Sequence, residues 1–163
     1  MKDCIFCKIV NKKLPSHIIY ENKEYMSFLT PFPNTPGFSV VIPKAHHGSY
    51  GFSVEENVFL ELMQVARKVG LLIDEKLGTK RTGLIMEGFG INHLHVKLFP
   101  MHGIPDGEWQ AINSPDKTFY PKYTGMIASN DGPQMSEAEL AKIAAKIKNG
   151  QILILSATAP DTI

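Results

Sequence analysis

At 163 residues the chain is long enough for one domain with a sizeable core. Its 17 basic and 16 acidic side chains leave a formal charge of +1, which argues against gripping a nucleic acid polymer by bulk electrostatics. No stretch approaches the ~18 consecutive apolar residues of a membrane-crossing helix. Met1-Lys2-Asp3-Cys4 opens without an apolar signal region, so the expectation is a cytoplasmic protein with no membrane partner.

The two cysteines, Cys4 and Cys7, stand as C-x-x-C. In a cytosolic chain this spacing reads as metal ligands or a redox pair rather than a structural disulfide. Beyond Ile9-Val10 the chain turns at Lys13-Leu14-Pro15 and enters a short strand, Ile18-Ile19-Tyr20. A turn over Glu21-Asn22-Lys23-Glu24 leads to a second strand from Tyr25 to Leu29. The three prolines of the 30–37 stretch exclude a helix or central strand there and predict an ordered loop. Phe38-Ser39-Val40-Val41-Ile42 is β-rich and Pro43 stops it. The implied hairpin sets the proline loop at one end of an antiparallel sheet.

Ser53-Val54-Glu55-Glu56 has the form of a capping box opening a long helix. Val58, Leu62, Val65, Val69, Ile73 and Leu77 recur at helical spacing, and Gly78 closes the run. Thr82 to Met86 is a strand candidate, and Glu87-Gly88-Phe89-Gly90 a loop. From there His93, His95 and Lys97 alternate with Leu94, Val96 and Leu98, the period of a strand whose successive side chains face opposite ways. Phe99 falls on the polar face as a possible floor, and Pro100 ends the strand because it lacks a ladder donor. Two imidazoles and an ammonium side by side make a poor core but a good receiver of phosphate or metal. The plainer alternative is an exposed strand face that happens to carry histidines.

Residues 101–135 have poor periodicity and many turn residues, with Trp109, Phe119, Tyr120 and Tyr123 as expected apolar anchors. Ser136-Glu137-Ala138-Glu139 is a second capping box, opening a helix with Leu140, Ile143, Ala144 and Ile147 on one face and an end near Gly150. The 151–163 tail is apolar and unassigned. No internal repeat or low-complexity segment is visible.

Tetrahedral zinc takes four ligands, commonly thiolates and imidazoles. For Cys4 and Cys7 the candidate partners are His46 or His47, after Ile42-Pro43-Lys44, and His93 or His95; His17 and His102 are less favoured. A redox dithiol or two unremarkable cysteines are the alternatives. The parallel βαβ setting of a thioredoxin-like site is missing.

Several segments together resemble the histidine triad (HIT) nucleotide-binding proteins. Asp3-Cys4-Ile5-Phe6-Cys7-Lys8-Ile9-Val10 with Leu14-Pro15 and Ile18-Ile19-Tyr20-Glu21 is similar to the family's N-terminus. Pro36-Gly37-Phe38-Ser39-Val40-Val41-Ile42-Pro43-Lys44-Ala45-His46 is similar to its second segment, and His93-Leu94-His95-Val96-Lys97-Leu98-Phe99-Pro100 to the triad strand. The resemblance covers roughly residues 3–100. It implies an α+β fold with a largely antiparallel five-stranded sheet, one long helix and, here, a C-terminal helix. Residues 1–100 would be the family-like core, with 101–163 an extension packed on the same domain.

The resemblance also implies a homodimer and chemistry at the α-phosphate of a purine nucleotide or dinucleotide derivative: a dinucleoside polyphosphate, an AMP ester or a phosphoramidate. The nucleophile would be His95, with Lys97 assisting and a covalent nucleotidyl-histidine intermediate. The ligands of a structural zinc would be Cys4, Cys7, His46 and His93. Phe28, Leu29, Thr30, Asn92, His95 and Lys97 would bind the nucleotide, and the helix after Ser53 would contribute to the dimer.

Departures stand beside the likeness. The third triad position is Lys97 instead of histidine, and Phe38 replaces a further family histidine. The 87–92 loop lacks the family's Ser or Thr phosphate donor. Thr30 can donate one hydrogen bond to a ribose but cannot chelate two hydroxyls as a carboxylate can. Lys97 can hold a non-bridging phosphate oxygen, or simply point to solvent. His102, just past the strand, is an alternative in place of a lost histidine, and His47 reads as a bystander. A second reading is therefore a nucleotide-binding module with little or no turnover, acting as a sensor or protein partner.

Overall fold

The structure, a computed structural model, describes residues 3–111 and 134–148. Five strands form one antiparallel sheet in the order β1-β2-β3-β5-β4. They are β1 (Ile18–Glu21), β2 (Tyr25–Leu29), β3 (Ser39–Pro43), β4 (Thr82–Ile85) and β5 (Val96–Pro100). Three α-helices accompany them: α1 (Ile5–Val10), α2 (Glu56–Leu77) and α3 (Glu137–Lys148). This is the α+β arrangement that the sequence predicts.

Local chemistry sets each turn. Asn22 Oδ1 accepts the Glu24 and Tyr25 amides at 3.0 and 2.6 Å, an Asx turn that reverses the chain between β1 and β2. The proline loop is tied across its neck by the Thr30 amide to the Phe38 carbonyl, 3.2 Å. It is also pinned to the end of β5 by the Thr35 hydroxyl donating to the Pro100 carbonyl, 2.9 Å. Gly37 closes the loop at φ 87°, where a Cβ would collide with Leu77 Cδ1.

Both sheet faces are covered. On one, Tyr25, Leu29, Val41, Val96 and Leu98 pack against Leu62, Val65, Val69, Leu72 and Ile73 of α2 and Leu140, Ala144 and Ile147 of α3. On the other, Met26, Phe28, Phe38, Val40, Ile42 and Phe99 pack under Phe6 and Ile9 of α1. Burying these side chains supplies most of the drive to fold, at about 25 cal/mol per Å² of apolar area. No helix among the described residues is long and apolar enough to cross a membrane.

The elements depart from the sequence expectations in four places. Helix α1 lies where none was predicted; its six residues are too few to show a periodicity. Ser53 does not cap α2: it sits in a short 3-10 turn, Gly51–Ser53, and its hydroxyl donates to the Tyr50 carbonyl at 2.9 Å. The helix begins at Glu56 with no side-chain cap. Ser136 does cap α3: its hydroxyl oxygen accepts the Glu139 amide at 3.4 Å, and the hydroxyl donates to Glu139 Oε2 at 2.6 Å. The strand predicted to include His93 and His95 starts only at Val96. Continued by two residues, the Val41↔Val96 register would bring Pro43 toward Leu94, and Pro43 has no N–H to give. Finally, Trp109 is no anchor, being 73% exposed. Phe119, Tyr120, Tyr123 and the 151–163 tail lie outside the described residues.

Candidate functional site

Cys4 and Cys7 are brought to the ends of two strands by α1. Cys4 is the residue before the helix and Cys7 lies within it, while Phe6 between them turns inward. His46 follows β3 and His93 precedes β5. One donor atom from each of these four residues lies within 4.8 Å of the other three. Cys4 Sγ is 3.5 Å from His93 Nδ1, and Cys7 Sγ is 3.3 and 3.6 Å from the Nδ1 atoms of His46 and His93. A tetrahedron with metal–ligand bonds of ~2.0–2.3 Å has edges of about 3.3–3.8 Å. The donor set and its spacing therefore fit a tetrahedral metal. His93 Nε2–H donates to the Pro43 carbonyl at 2.8 Å, which turns the Nδ1 lone pair toward the sulfurs. Burial pushes the His93 imidazole below its ordinary range and so favours the neutral, ligating form.

On the same sheet face, the register sets Phe28, Val40, Lys97 and Ile85 abreast on four strands. Phe28, Val40 and Lys97 border a cavity of about 620 Å³ lined also by Phe6, Thr30, Phe38, Ile91 and His95. Its volume and largely apolar walls suit a small organic ligand. His95 is buried, and Phe6 sets its ring edge-on against it at 5.6 Å. Because a carbonyl oxygen only accepts, the 2.7 Å contact between His95 Nδ1 and the His93 carbonyl places a proton on Nδ1. Nε2 is then the nitrogen with a free lone pair in the neutral ring. Burial is the largest influence on this imidazole and pushes it below its ordinary range; the His93 carbonyl pulls it up, Lys97 pushes it down and Glu87 pulls it up.

Lys97 does not point to solvent. Its Nζ lies 2.6 Å from Glu87 Oε1, with side chains only 17% and 7% exposed. The Ile85↔Lys97 register, run on by two residues, brings Glu87 level with His95 on the same face. The sequence places Glu87 at the start of the loop before His93 and gives it no role of its own. Its signal was parity with Ile85, legible only once the register of β4 against β5 is known.

The remaining candidates divide. Phe28 lies in the cavity wall and in the core beneath it. Leu29 turns to the α2 side of the sheet and also borders the cavity. Thr30 lines it with a buried hydroxyl oxygen that accepts the Phe32 amide at 3.2 Å. Asn92 is not with His95 and Lys97: it borders a separate recess beside Cys4 and His46, and its Oδ1 accepts the Ser49 amide at 3.1 Å. His102 is not a replacement histidine, since it is exposed and bonded to the Pro36 carbonyl at 2.9 Å. His47 stays outside the donor cluster, its carbonyl accepting the Leu94 amide. Phe38, in the place of the further histidine, packs on Phe99 with ring centroids 4.3 Å apart. His17, set aside at first, borders the cavity with its Nε2 2.6 Å from Glu137 Oε2 of α3.

The chain is similar to known proteins. An uncharacterized HIT-like protein of Methanocaldococcus jannaschii is 29% identical over 110 residues, 64% of this chain and 83% of its own length. The adenosine 5'-monophosphoramidase of Saccharomyces cerevisiae is 28% identical over 99 residues, 60% of this chain and 61% of its own. In fold, the chain superposes on a Zn-bound histidine triad family protein of Mycobacterium smegmatis with a TM-score of 0.71 at 17% identity, covering 96% of this chain and 99% of that one. The profile of the HIT domain matches residues 11–104, more than half of the sequence. The chain belongs to the HIT domain family, whose function at family level is of the nucleotide-binding and hydrolase type.

Proposed function

We propose that this protein is a nucleotide hydrolase or nucleotidyl transferase working at the α-phosphate of a purine nucleotide derivative, with His95 as nucleophile. The observation that carries the reading is the tautomer of His95: Nδ1–H is spent on the His93 carbonyl, and Nε2 belongs to a ring that lines a nucleotide-sized cavity. A neutral imidazole is a competent nucleophile near pH 7.

In the first step Nε2 gives its lone pair to phosphorus. The P–N bond forms as the bond to the leaving group breaks, and that group departs with the electron pair and takes a proton from water. The positive charge on the nucleotidylated ring is met by the His93 carbonyl. Water then attacks phosphorus, the P–N electrons return to Nε2, and the water's proton passes to solvent. Lys97 stabilises charge on the non-bridging oxygens. Phe28, Leu29 and Thr30 wall the base and ribose, and Asn92 borders the adjoining recess beside Cys4 and His46.

Zinc held by Cys4, Cys7, His46 and His93 would be structural, because all four tetrahedral positions are filled by protein donors. A reducing, cytoplasmic setting suits this thiol pair. The name of the yeast relative, a monophosphoramidase, supports an AMP derivative as substrate. A homodimer follows from the family resemblance, and sedimentation equilibrium of the pure chain is the check.

The function test is intact mass after rapid quenching with AMP-donating compounds, beside a His95→Ala control. An AMP-sized adduct that the control lacks is the expected result. Nucleotide binding without adduct or turnover would replace the enzyme with a binding module.

A further inference from the structure

Charge is scarce among the described residues around the cavity. Among its described lining residues Lys97 is the single lysine or arginine, and the other ionisable side chains are His95, His17 and Glu137. His17 and Glu137 are engaged with each other. The Lys97 ammonium is matched by the Glu87 carboxylate at 2.6 Å, both groups largely enclosed. Whether or not His17 carries a proton, these groups give the cavity no net positive charge while His95 is neutral.

A site for a polyphosphate chain is usually built the other way, with several cations or a metal ion over the charged oxygens. A phosphorus centre with one negative charge needs less. Lys97 has three N–H donors, and the contact with Glu87 uses one of them and fixes where the others aim. Two donors remain for the non-bridging oxygens of one phosphoryl group. Each further phosphate of a polyphosphate would bring charge that meets the carboxylates of Glu87 and Glu137 and no second cation among the described lining residues.

We propose that Glu87 determines specificity at this site: by matching and aiming Lys97 it fits the cavity to a monoanionic phosphorus centre, an ester or amidate of a nucleoside monophosphate, and against a polyphosphate chain. The proposal rests on nucleotidyl transfer to His95 and narrows its substrate class. Glu87 is a positioning residue in this role, acting on the substrate through the Lys97 ammonium.

The experiment compares kcat/KM for an adenosine 5'-phosphoramidate and for a dinucleoside tetraphosphate, at one ionic strength, in the unaltered protein and in Glu87→Gln. The unaltered protein is expected to favour the phosphoramidate. In Glu87→Gln, with Lys97 no longer matched, the ratio should move toward the tetraphosphate by about tenfold or more, given one charge acting over a few ångströms at an effective dielectric of about 20. An unchanged ratio in a folded variant, or an unaltered protein that prefers the tetraphosphate, overturns the proposal.

A second measurement needs no variant: equilibrium binding of a non-hydrolysable, monoanionic alkyl ester of AMP (a phosphodiester) against ATP, both free of divalent metal. Tighter binding of the AMP ester supports a cavity fitted to a monoanionic centre, and equal or tighter binding of ATP overturns the proposal. Failure of the parent reading looks different, because no donor would then leave an adduct on His95 while the binding comparison still judges the charge preference of the cavity. Adducts from both donors with a ratio indifferent to Glu87→Gln defeat only the specificity claim.

Discussion

Single hydrogen bonds to groups with one possible role carry much of the argument at the residue scale. The carbonyls of Pro43 and His93 can only accept, so they orient two imidazoles in opposite senses, one toward the sulfurs and one with Nε2 free. Tyr25 shows the same logic away from the site. Its buried hydroxyl donates to Glu61 Oε2 at 3.0 Å, and burial first, then that carboxylate, push its pKa up to about 12. A phenol whose folded pKa lies above its unfolded value of ~10 contributes stability that is fully present below pH ~10. That contribution is lost as pH rises from there through about 12. Urea titrations across this window should show Tyr25→Phe losing stability less steeply than the unaltered protein, by at most ~1.4 kcal/mol per pH unit. Equal slopes would mean that Tyr25 ionises as freely folded as unfolded. At this scale His93, His95 and Lys97 were legible in the sequence because alternation survives even where ladder bonding does not. Glu87 was not, since its partner is fixed by a register between strands that no local pattern encodes.

At the level of elements, two Ser-x-x-Glu boxes read alike in the sequence and behave differently in the structure. Ser136 is followed directly by helix, so its hydroxyl oxygen can meet the Glu139 amide, at 3.4 Å. Ser53 ends a 3-10 turn and is followed by extended Val54, which carries it away from the first turn of α2. Removing the two hydroxyls should therefore separate them. Ser136→Ala is expected to cost about 1 kcal/mol, read as faster amide exchange in the first turn of α3. Ser53→Ala should stay within ~0.5 kcal/mol, as for an ordinary surface change. Gly37→Ala should cost more, about 1–3 kcal/mol in a denaturant titration, because it combines a positive φ with a collision against Leu77. A neutral Gly37→Ala would show that the loop can shift away from α2. The strands and the two long helices were legible for a related reason: their side-chain periods are set by packing on a sheet with both faces covered. Helix α1 was not, because its six residues are held by Phe6 and Ile9 against distant strands and not by a pattern of their own.

Across the whole molecule, the donor cluster joins parts of the chain that sequence keeps far apart. Cys4 and Cys7 belong to α1, His46 to the exit of β3 and His93 to the entry of β5, so one ion would staple the N-terminal segment to the middle of the sheet. Phe6 lies between the cysteines and reaches Phe28 and His95 at ring-centroid distances of 5.5 and 5.6 Å. Fixing α1 therefore also fixes one wall of the cavity beside His95. An ion that binds only the folded state stabilises it by mass action, by about 2.7 kcal/mol when free metal stands at ~100 times its Kd. The two apolar clusters on the sheet give the fold a core of its own, so removing metal should loosen it without unfolding it. Chelation of the zinc-loaded protein is expected to lower Tm, to speed amide exchange in residues 3–12 more than in α2, and to weaken nucleotide binding. One equivalent of zinc should restore all three, and Cys7→Ser should reproduce the loss without restoration. If stripped and loaded protein melt together and exchange alike, the cluster is not a staple, and α1 is held by Phe6 and Ile9 alone.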